Sequence, residues 1–198
     1  METKDLIIET AFLAFLENGY DRVSLNKIVK RTGLTKGAFY HNFSSKSELI
    51  HEVMSKYFFT HINNTVKLID GSGHSFNDKL TKIYTSVLNV KVHLYAYPDI
   101  EIKEEAFMHL FQECMEIDDE LQKMGAKQQH ITIVAMEKAI EEAKANHEIK
   151  NNIDTHDLAE LINVTIRGTI MATSHLSKTG TEKALKKNIE NLLALVRQ

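Results

Sequence analysis

The chain has 198 residues, 43% of them hydrophobic, with a formal net charge of −3, one cysteine and one proline. A single cysteine, Cys114, excludes an intrachain disulfide framework, and no run reaches the ~18 apolar residues of a membrane span. The acidic start, with Glu2, Asp5 and Glu9, lacks the basic region and small-residue cleavage site of a signal peptide, so the expectation is a cytoplasmic protein with no membrane partner.

That length suffices for one small binding head and a helical body with its own core. Residues 1–50 hold seven Lys/Arg against six Asp/Glu, and residues 51–198 hold seventeen against twenty-one. So weak an asymmetry is compatible with a small DNA-contacting face on an acidic body but does not establish one.

Sustained β-type alternation is missing, and helical spacing recurs from end to end, so the fold class is all-α, with about nine helices. The first helix spans roughly 3–18, with Ile8, Phe12 and Phe15 at helical spacing, Ile7, Ala11 and Ala14 beside them, and Gly19 as C-cap. Ser24 caps a second helix that buries Leu25, Ile28 and Val29 and ends near Thr32-Gly33. Leu34 turns inward, and Thr35 caps a short third helix, 36–41. Ser45 and Glu48 form an S-x-x-E capping box opening a fourth helix to about Ile69. Residues 70–74 are a break, and Ser75 with Asp78 opens a fifth helix, about 76–95. Pro98 resets the chain before helices at about 99–116 and 120–146. A polar connector covers 146–152. Asp154 caps a helix running to about Ser177. Thr179 and Glu182 frame the last helix, whose stripe is Leu185, Ile189, Leu192, Leu193 and Val196.

Helices two and three, joined by a Thr-Gly-Leu turn and backed by the first helix, have the layout of a helix-turn-helix. In that layout the third helix enters a major groove. Lys36 is its one long cation, Gly37 allows close approach, and Ala38 or Phe39 is apolar enough for a thymine methyl. Tyr40 and His41 stand where phosphates pass, as do Ser24, Thr35 and Lys46. Short helix pairs with a glycine turn also occur in many all-helical proteins. From the bare pattern, Phe39 is either a base contact or core, and Tyr40 either a phosphate contact or a half-buried packing residue.

Residues 20–50, YDRVSLNKIVKRTGLTKGAFYHNFSSKSELI, resemble the TetR/AcrR family of bacterial repressors. The resemblance rests on Gly19-Tyr20, Ser24, Ile28-Val29, Thr32-Gly33, Thr35, Gly37, Tyr40, Phe43, Lys46 and Leu49. It departs from the family at Val29 and Thr32, where alanine is usual, and at Ala38-Phe39, which bears on which operator is read. It implies that Thr35, Lys36, Gly37, Ala38, Tyr40 and His41 lie on the recognition surface. It also implies that Ser24, Tyr40 and Lys46 hold phosphates, and that Ile28, Val29, Leu34, Phe43 and Leu49 form the core of the head. The body resembles the family more weakly. Ala143 and His147 stand where a common element has two glycines, and residues 166–170 resemble the penultimate helix.

Two domains are expected: 1–47, a three-helix DNA-binding head, and 48–198, an effector-binding and dimerisation body. The expected partners are double-stranded DNA with palindromic half-sites roughly 34 Å apart, a second copy of the chain, and a small, largely apolar or aromatic effector. Dimer candidates are Leu158, Leu161, Ile162, Ile166, Ile170, Leu185, Ile189, Leu192, Leu193 and Val196, some of which must fill the monomer's own core. Pocket candidates are Tyr84, Leu88, Val92, His93, Tyr95, Phe107, Met108, Phe111, Cys114, Met115, Ile133 and Met136, although a core stripe has the same sequence pattern. Glu105, His109 and Glu113 share a helix face that either takes a metal or, more simply, is solvated. No phosphate loop, H-E-x-x-H or nucleophile–base set is visible, so neither enzyme activity nor a cofactor is expected. The remaining alternatives are a regulator governed by a protein partner or by no small ligand, and a helical interaction module that does not bind DNA.

Overall fold

The computed structural model describes residues 2–70, 75–88, 94, 97, 104–173 and 176–198, with no side-chain description at 70, 88, 104 and 105. Its elements are α1 (Thr3–Asn18), α2 (Leu25–Thr32), α3 (Lys36–Asn42), α4 (Lys46–Val53), a π-helical stretch (Met54–Phe59), α5 (Thr60–Asp70), α6 (Phe76–Leu88), α7 (Glu104–Ile117), α8 (Asp119–Ala145), α9 (Thr155–Ala172) and α10 (Lys178–Val196). Because α4, the π stretch and α5 follow without a break, the described residues hold nine helical runs, and the fold is all-α. No helix among them is long and apolar enough to cross a membrane.

Local chemistry explains most boundaries. The hydroxyls of Ser24, Thr35, Ser45 and Ser75 and the carboxylate of Asp154 each accept the backbone N–H three residues on, which satisfies a donor the first turn leaves unpaired. Gly19 ends α1 at φ 79, its N–H bonded to the Phe15 carbonyl. Two boundaries differ from those expected of the sequence. The cap of α10 is Ser177, whose Oγ accepts from Gly180 N at 3.3 Å, and not the Thr179–Glu182 frame; α9 ends at Ala172 rather than near Ser177. The capping box at Ser45 is closed differently as well, for the Glu48 carboxylate accepts the N–H and hydroxyl of Ser44, both at 2.8 Å. The expected extension of helix five through 89–93 and the start of helix six at 99–103 lie outside the described residues.

The π stretch has no counterpart among the elements expected from the sequence. There the Thr60 N–H bonds the Ser55 carbonyl, five residues back, and the Thr60 hydroxyl donates to the same oxygen at 3.0 Å. Such single π turns inside α-helices are rare and recur at functional sites.

The chain divides into two compact units, Met1–His61 with Lys91–Ala126, and Ile62–Val90 with Lys127–Gln198. In the first, α1 packs against α2, α3, α4 and α7. Nine consecutive α1 residues, Ile7 to Phe15, are buried, so the helix is covered on every side. Phe12 stacks on Tyr57 with centroids 4.2 Å apart, and Phe58 on Phe107 at 3.9 Å.

In the second unit α10 packs on α9 and α6. Its core joins Leu80, Ile83 and Tyr84 of α6, Ile133, Met136 and Ile140 of α8, and the inner faces of α9 and α10. The buried Lys79 ammonium pairs with Glu142 at 2.6 Å. The polar connector is pinned to the chain end, with Lys150 N donating to the Val196 carbonyl at 2.9 Å.

After α8 the chain reverses at His147, a non-glycine residue with φ 59, and Glu148 N donates back to the Ala143 carbonyl at 2.8 Å. This is one of the two places where the resembling family has glycine. A left-handed conformation costs an L-residue about 1–2 kcal/mol, partly offset in the substitution by glycine's greater unfolded-state freedom. His147→Gly is therefore expected to raise unfolding stability by about 0.5–1 kcal/mol, read by urea denaturation of the full chain. A lower stability would show that the imidazole contributes more than the backbone relief.

Candidate nucleic-acid interface

The head is held by a few specific bonds. Gly33 closes α2 in the left-handed conformation, φ 70. The Thr32 hydroxyl donates to the Val29 carbonyl at 2.8 Å and accepts from Leu34 N at 3.3 Å, stitching the turn. Asn42 Nδ2 donates to the Ala38 carbonyl at 2.8 Å and closes α3. Beneath the turn lie Val23, Ile28, Val29, Phe39, Phe43 and Leu49, all buried.

Burial sorts the candidate DNA contacts. Thr35, Lys36, Gly37, Tyr40 and His41 are exposed, and Ala38 is half-buried. Lys36, Gly37, Tyr40 and His41 recur at the spacing of one helix face. No heavy atom lies within 4 Å of where a Cβ on Gly37 would sit, so that face is open to close approach. Of the two places open to Phe39 the structure gives the inner one: its ring is 0% exposed. It carries Tyr40 edge-on at 5.5 Å. A buried ring cannot also reach a base edge, so Phe39 leaves the contact set.

Ser24 is exposed at the start of α2. Lys46 is half-buried, its ammonium 3.9 Å from the centroid of the Tyr20 ring. Desolvation draws that ammonium below its ordinary range, against the opposing pull of Asp21 and Glu113. Arg31 makes a forked ion pair with Glu17, its Nη2 2.8 Å from a carboxylate oxygen, and ties α2 to α1.

Two acidic residues that the sequence does not single out for this role touch the head. Glu113 of α7 accepts the backbone N–H groups of Tyr20 at 3.0 Å and Asp21 at 3.3 Å. The solvated-face reading of Glu113 is thereby corrected: its carboxylate serves backbone donors. Asp118 accepts from Glu120 N and Leu121 N at 3.0 and 2.9 Å, and its other oxygen lies 3.0 Å from His51 Nε2 and 3.4 Å from Ser47 Oγ. The Asp118 bonds to Glu120 and Leu121 are local, at the start of α8, but nothing near either residue in sequence signals the contacts with Tyr20, Asp21, His51 and Ser47, which lie some 70–90 positions away.

The pocket candidates fall in both units. Phe107 and Phe111 stack on Phe58 in the first, Met108 is exposed, and Met115 lies against Gly125. Cys114, a pocket candidate, is 0% exposed, and burial pushes its thiol up to about 12. A thiol so protonated is a packing group. Tyr84, Ile133 and Met136 belong to the core of the second unit. The side chain of Leu88, and Val92, His93 and Tyr95, lie outside the described residues.

Of the dimer candidates, Leu158, Ile162, Ile166, Leu185, Ile189, Leu192, Leu193 and Val196 are buried within the second unit of the single chain, because α9 and α10 turn these stripes toward each other. Ile170 is partly buried against them, and Leu161 is 51% exposed. Val164, Met171 and Leu195 are exposed on the same helices. Among the described residues no three His, Cys, Asp or Glu side chains are grouped to hold a metal.

The family model for bacterial regulatory proteins of the tetR family matches residues 7–53, the stretch that carries this geometry. The HTH-type transcriptional regulator YuxN of Bacillus subtilis is 36% identical over 93 residues, 46% of this chain and 32% of that protein. The chain thus spans about a third of YuxN's length. The HTH-type negative transcriptional regulator IcaR of the biofilm operon icaADBC, from Staphylococcus aureus, is 26% identical over 127 residues, 63% of this chain and 68% of that one. A TetR-family transcriptional regulator from Cytophaga hutchinsonii shares the fold with a TM-score of 0.74 at 19% identity, over 98% of this chain and 94% of that one. Residues 7–53 are thus similar to helix-turn-helix transcriptional regulators of the tetR family. The family match is confined to residues 7–53, whereas the fold is shared over nearly the whole chain.

The Asp118 contacts carry a pH signature. The hydrogen bond from His51, then the N–H of Leu121, hold its carboxyl below the usual range. The folded state therefore favours the ionised form more than the unfolded chain does, so the contribution is present above the ordinary carboxylate pKa of about 4 and disappears as pH falls through the depressed value. Asp118→Asn is expected to lower stability at pH 7 and to flatten the decline below about pH 4. Parallel stability–pH curves for the two proteins would show that the interaction is not specific to the folded state.

Proposed function

We propose that the chain is a sequence-specific DNA-binding transcriptional regulator, a repressor that acts as a homodimer on a palindromic operator and is released by a small, largely apolar or aromatic ligand. The observation that carries this reading is the open outer face of α3, where Lys36, Gly37, Tyr40 and His41 stand exposed above the buried anchors Phe39 and Phe43. Residues 1–47 are assigned to DNA reading, and residues 48–198 to effector binding and dimerisation. Repression is favoured by the naming of IcaR as a negative regulator. The family is one of regulators and not of enzymes.

For the dimer, the eight buried stripe residues of α9 and α10 hold the two helices together, and the surface offered to a second copy is the exposed apolar set Leu161, Val164 and Met171 on α9 with Leu195 on α10. The first three recur at helical spacing on one face. A doubled Leu161→Arg, Val164→Arg variant is expected to sediment as a folded monomer where the parent sediments as a dimer. A parent that is already monomeric at micromolar concentration would sink this assignment.

DNA binding is tested by titrating the protein against duplexes selected from a random library at stated salt concentrations. Lys36→Ala with Tyr40→Ala is expected to weaken specific binding by about 1–3 kcal/mol per subunit. It should also reduce the slope of log affinity against log salt. Recovery of no preferred sequence, with affinity equal to that for random DNA, would favour a helical interaction module in place of a regulator.

A further inference from the structure

One carboxylate in the first unit stands at the centre of several contacts. Glu113 accepts the N–H of Tyr20 with one oxygen, at 3.0 Å, and that of Asp21 with the other, at 3.3 Å. The residue before them, Gly19, has φ 79, and a Cβ placed on it would stand 3.4 Å from the same carboxylate. The ring that follows, Tyr20, carries the Lys46 ammonium on its face at 3.9 Å. Five residues after Glu113, Asp118 holds the other side of α4 through His51 at 3.0 Å and Ser47 at 3.4 Å.

These contacts bracket the helix pair. The Tyr20–Asp21 turn leads directly into Ser24, the N-cap of α2. Lys46 is the first residue of α4, immediately after its cap Ser45. A residue of α7 therefore fixes the approach to α2 by backbone hydrogen bonds and fixes the start of α4 through an aromatic ring. Gly19 supplies the positive φ that ends α1, which favours glycine; a Cβ there would only come into ordinary contact with the carboxylate.

We infer that Glu113 is a positioning residue for DNA binding. Acting through Tyr20, it sets the placement of Ser24 and Lys46, and Asp118 secures α4 from its other side. This role rests on the proposal that the chain binds DNA. Charge-assisted bonds from two consecutive N–H groups to one carboxylate are directional, so the turn has one orientation while they hold. A carboxylate here would be a poor choice for contacting DNA itself, since it repels phosphate. Its value lies in orienting groups that do not.

The test uses the full-length protein and a duplex selected by the wild type from a random library, with anisotropy titrations at several salt concentrations. Glu113→Ala is expected to weaken binding about tenfold or more. It should also flatten the salt dependence by about one unit of slope for each phosphate that the variant no longer neutralises, while the protein stays folded by circular dichroism. Glu113→Gln keeps one acceptor oxygen and should fall between the two. A loss of stability alone would leave the salt slope of the folded fraction unchanged. Wild-type affinity and slope in folded Glu113→Ala overturn the inference. If that variant does not fold, wild-type affinity and slope in Glu113→Gln overturn it. Lys36→Ala separates this failure from failure of the DNA-binding proposal. If Lys36→Ala weakens binding and the Glu113 variants do not, only the positioning role falls; if Lys36→Ala also binds as the wild type does, the interface itself has been misplaced.

Discussion

The first unit depends on the complete burial of the middle of α1. A surface helix buries one stripe and exposes the rest, but here Ile7 through Phe15 are all inside, Glu9 and Thr10 included. The Thr10 hydroxyl lies 3.1 Å from that of Tyr97. Because α1 touches α2, α3, α4 and α7, the orientation of the α2–α3 pair and that of α7 are both set against the same post. Phe12 shows how: its ring meets Tyr57 in a stack and Phe58 and Phe107 edge-on. Rings of this size bury some 150–250 Å² each, and their preferred contact geometries are specific enough to fix relative position as well as to hold it.

Around that post the head separates holding from reading within single turns of helix. Phe39 and Phe43 face in, while Tyr40 and His41, one or two positions along, face out. The overall charge of −3 therefore says little about the interface. Several cations of the first unit are already engaged within the protein, Lys4 with Glu52, Arg31 with Glu17 and Lys56 with Asp5. Lys36 stands exposed at the start of α3. What matters to phosphate is which charges face outward, and that is a property of the fold and not of the composition.

Local features were legible in the sequence and distant ones were not. Ser24, Thr35, Ser45 and Asp154 cap where the sequence places them, because capping is an interaction between a side chain and a backbone N–H three residues away. Gly19 ends α1 for an equally local reason. Helical spacing assigns α1 an amphipathic stripe at Ile8, Phe12 and Phe15 and misses its full burial, because the cover on its far side comes from α7, about ninety residues later. The roles of Glu113 and Asp118 were hidden in the same way. The π stretch, Met54–Phe59, has no sequence signature, since its residues are as suited to an α-helix. On α9 and α10, spacing alone does not distinguish residues that meet within the chain from residues left for a partner. Leu158 and Leu161 look equivalent in sequence, and the structure buries the first and leaves the second 51% exposed.

Lys46 brings these strands together. Sequence pattern marks it as a phosphate contact, yet its ammonium rests on the Tyr20 ring with Asp21 and Glu113 close enough to affect its ionisation. A cation–π contact at a partly exposed site is worth about 0.5–1 kcal/mol, less than a charge-assisted hydrogen bond to phosphate, at about 1.5–3 kcal/mol. On the proposed reading the ring is a rest for the ammonium and not a trap, leaving the charge aimed before DNA arrives and thereby reducing the conformational freedom that binding must remove. The acidic neighbours then have a second effect. They offset part of the desolvation that burial imposes on the ammonium.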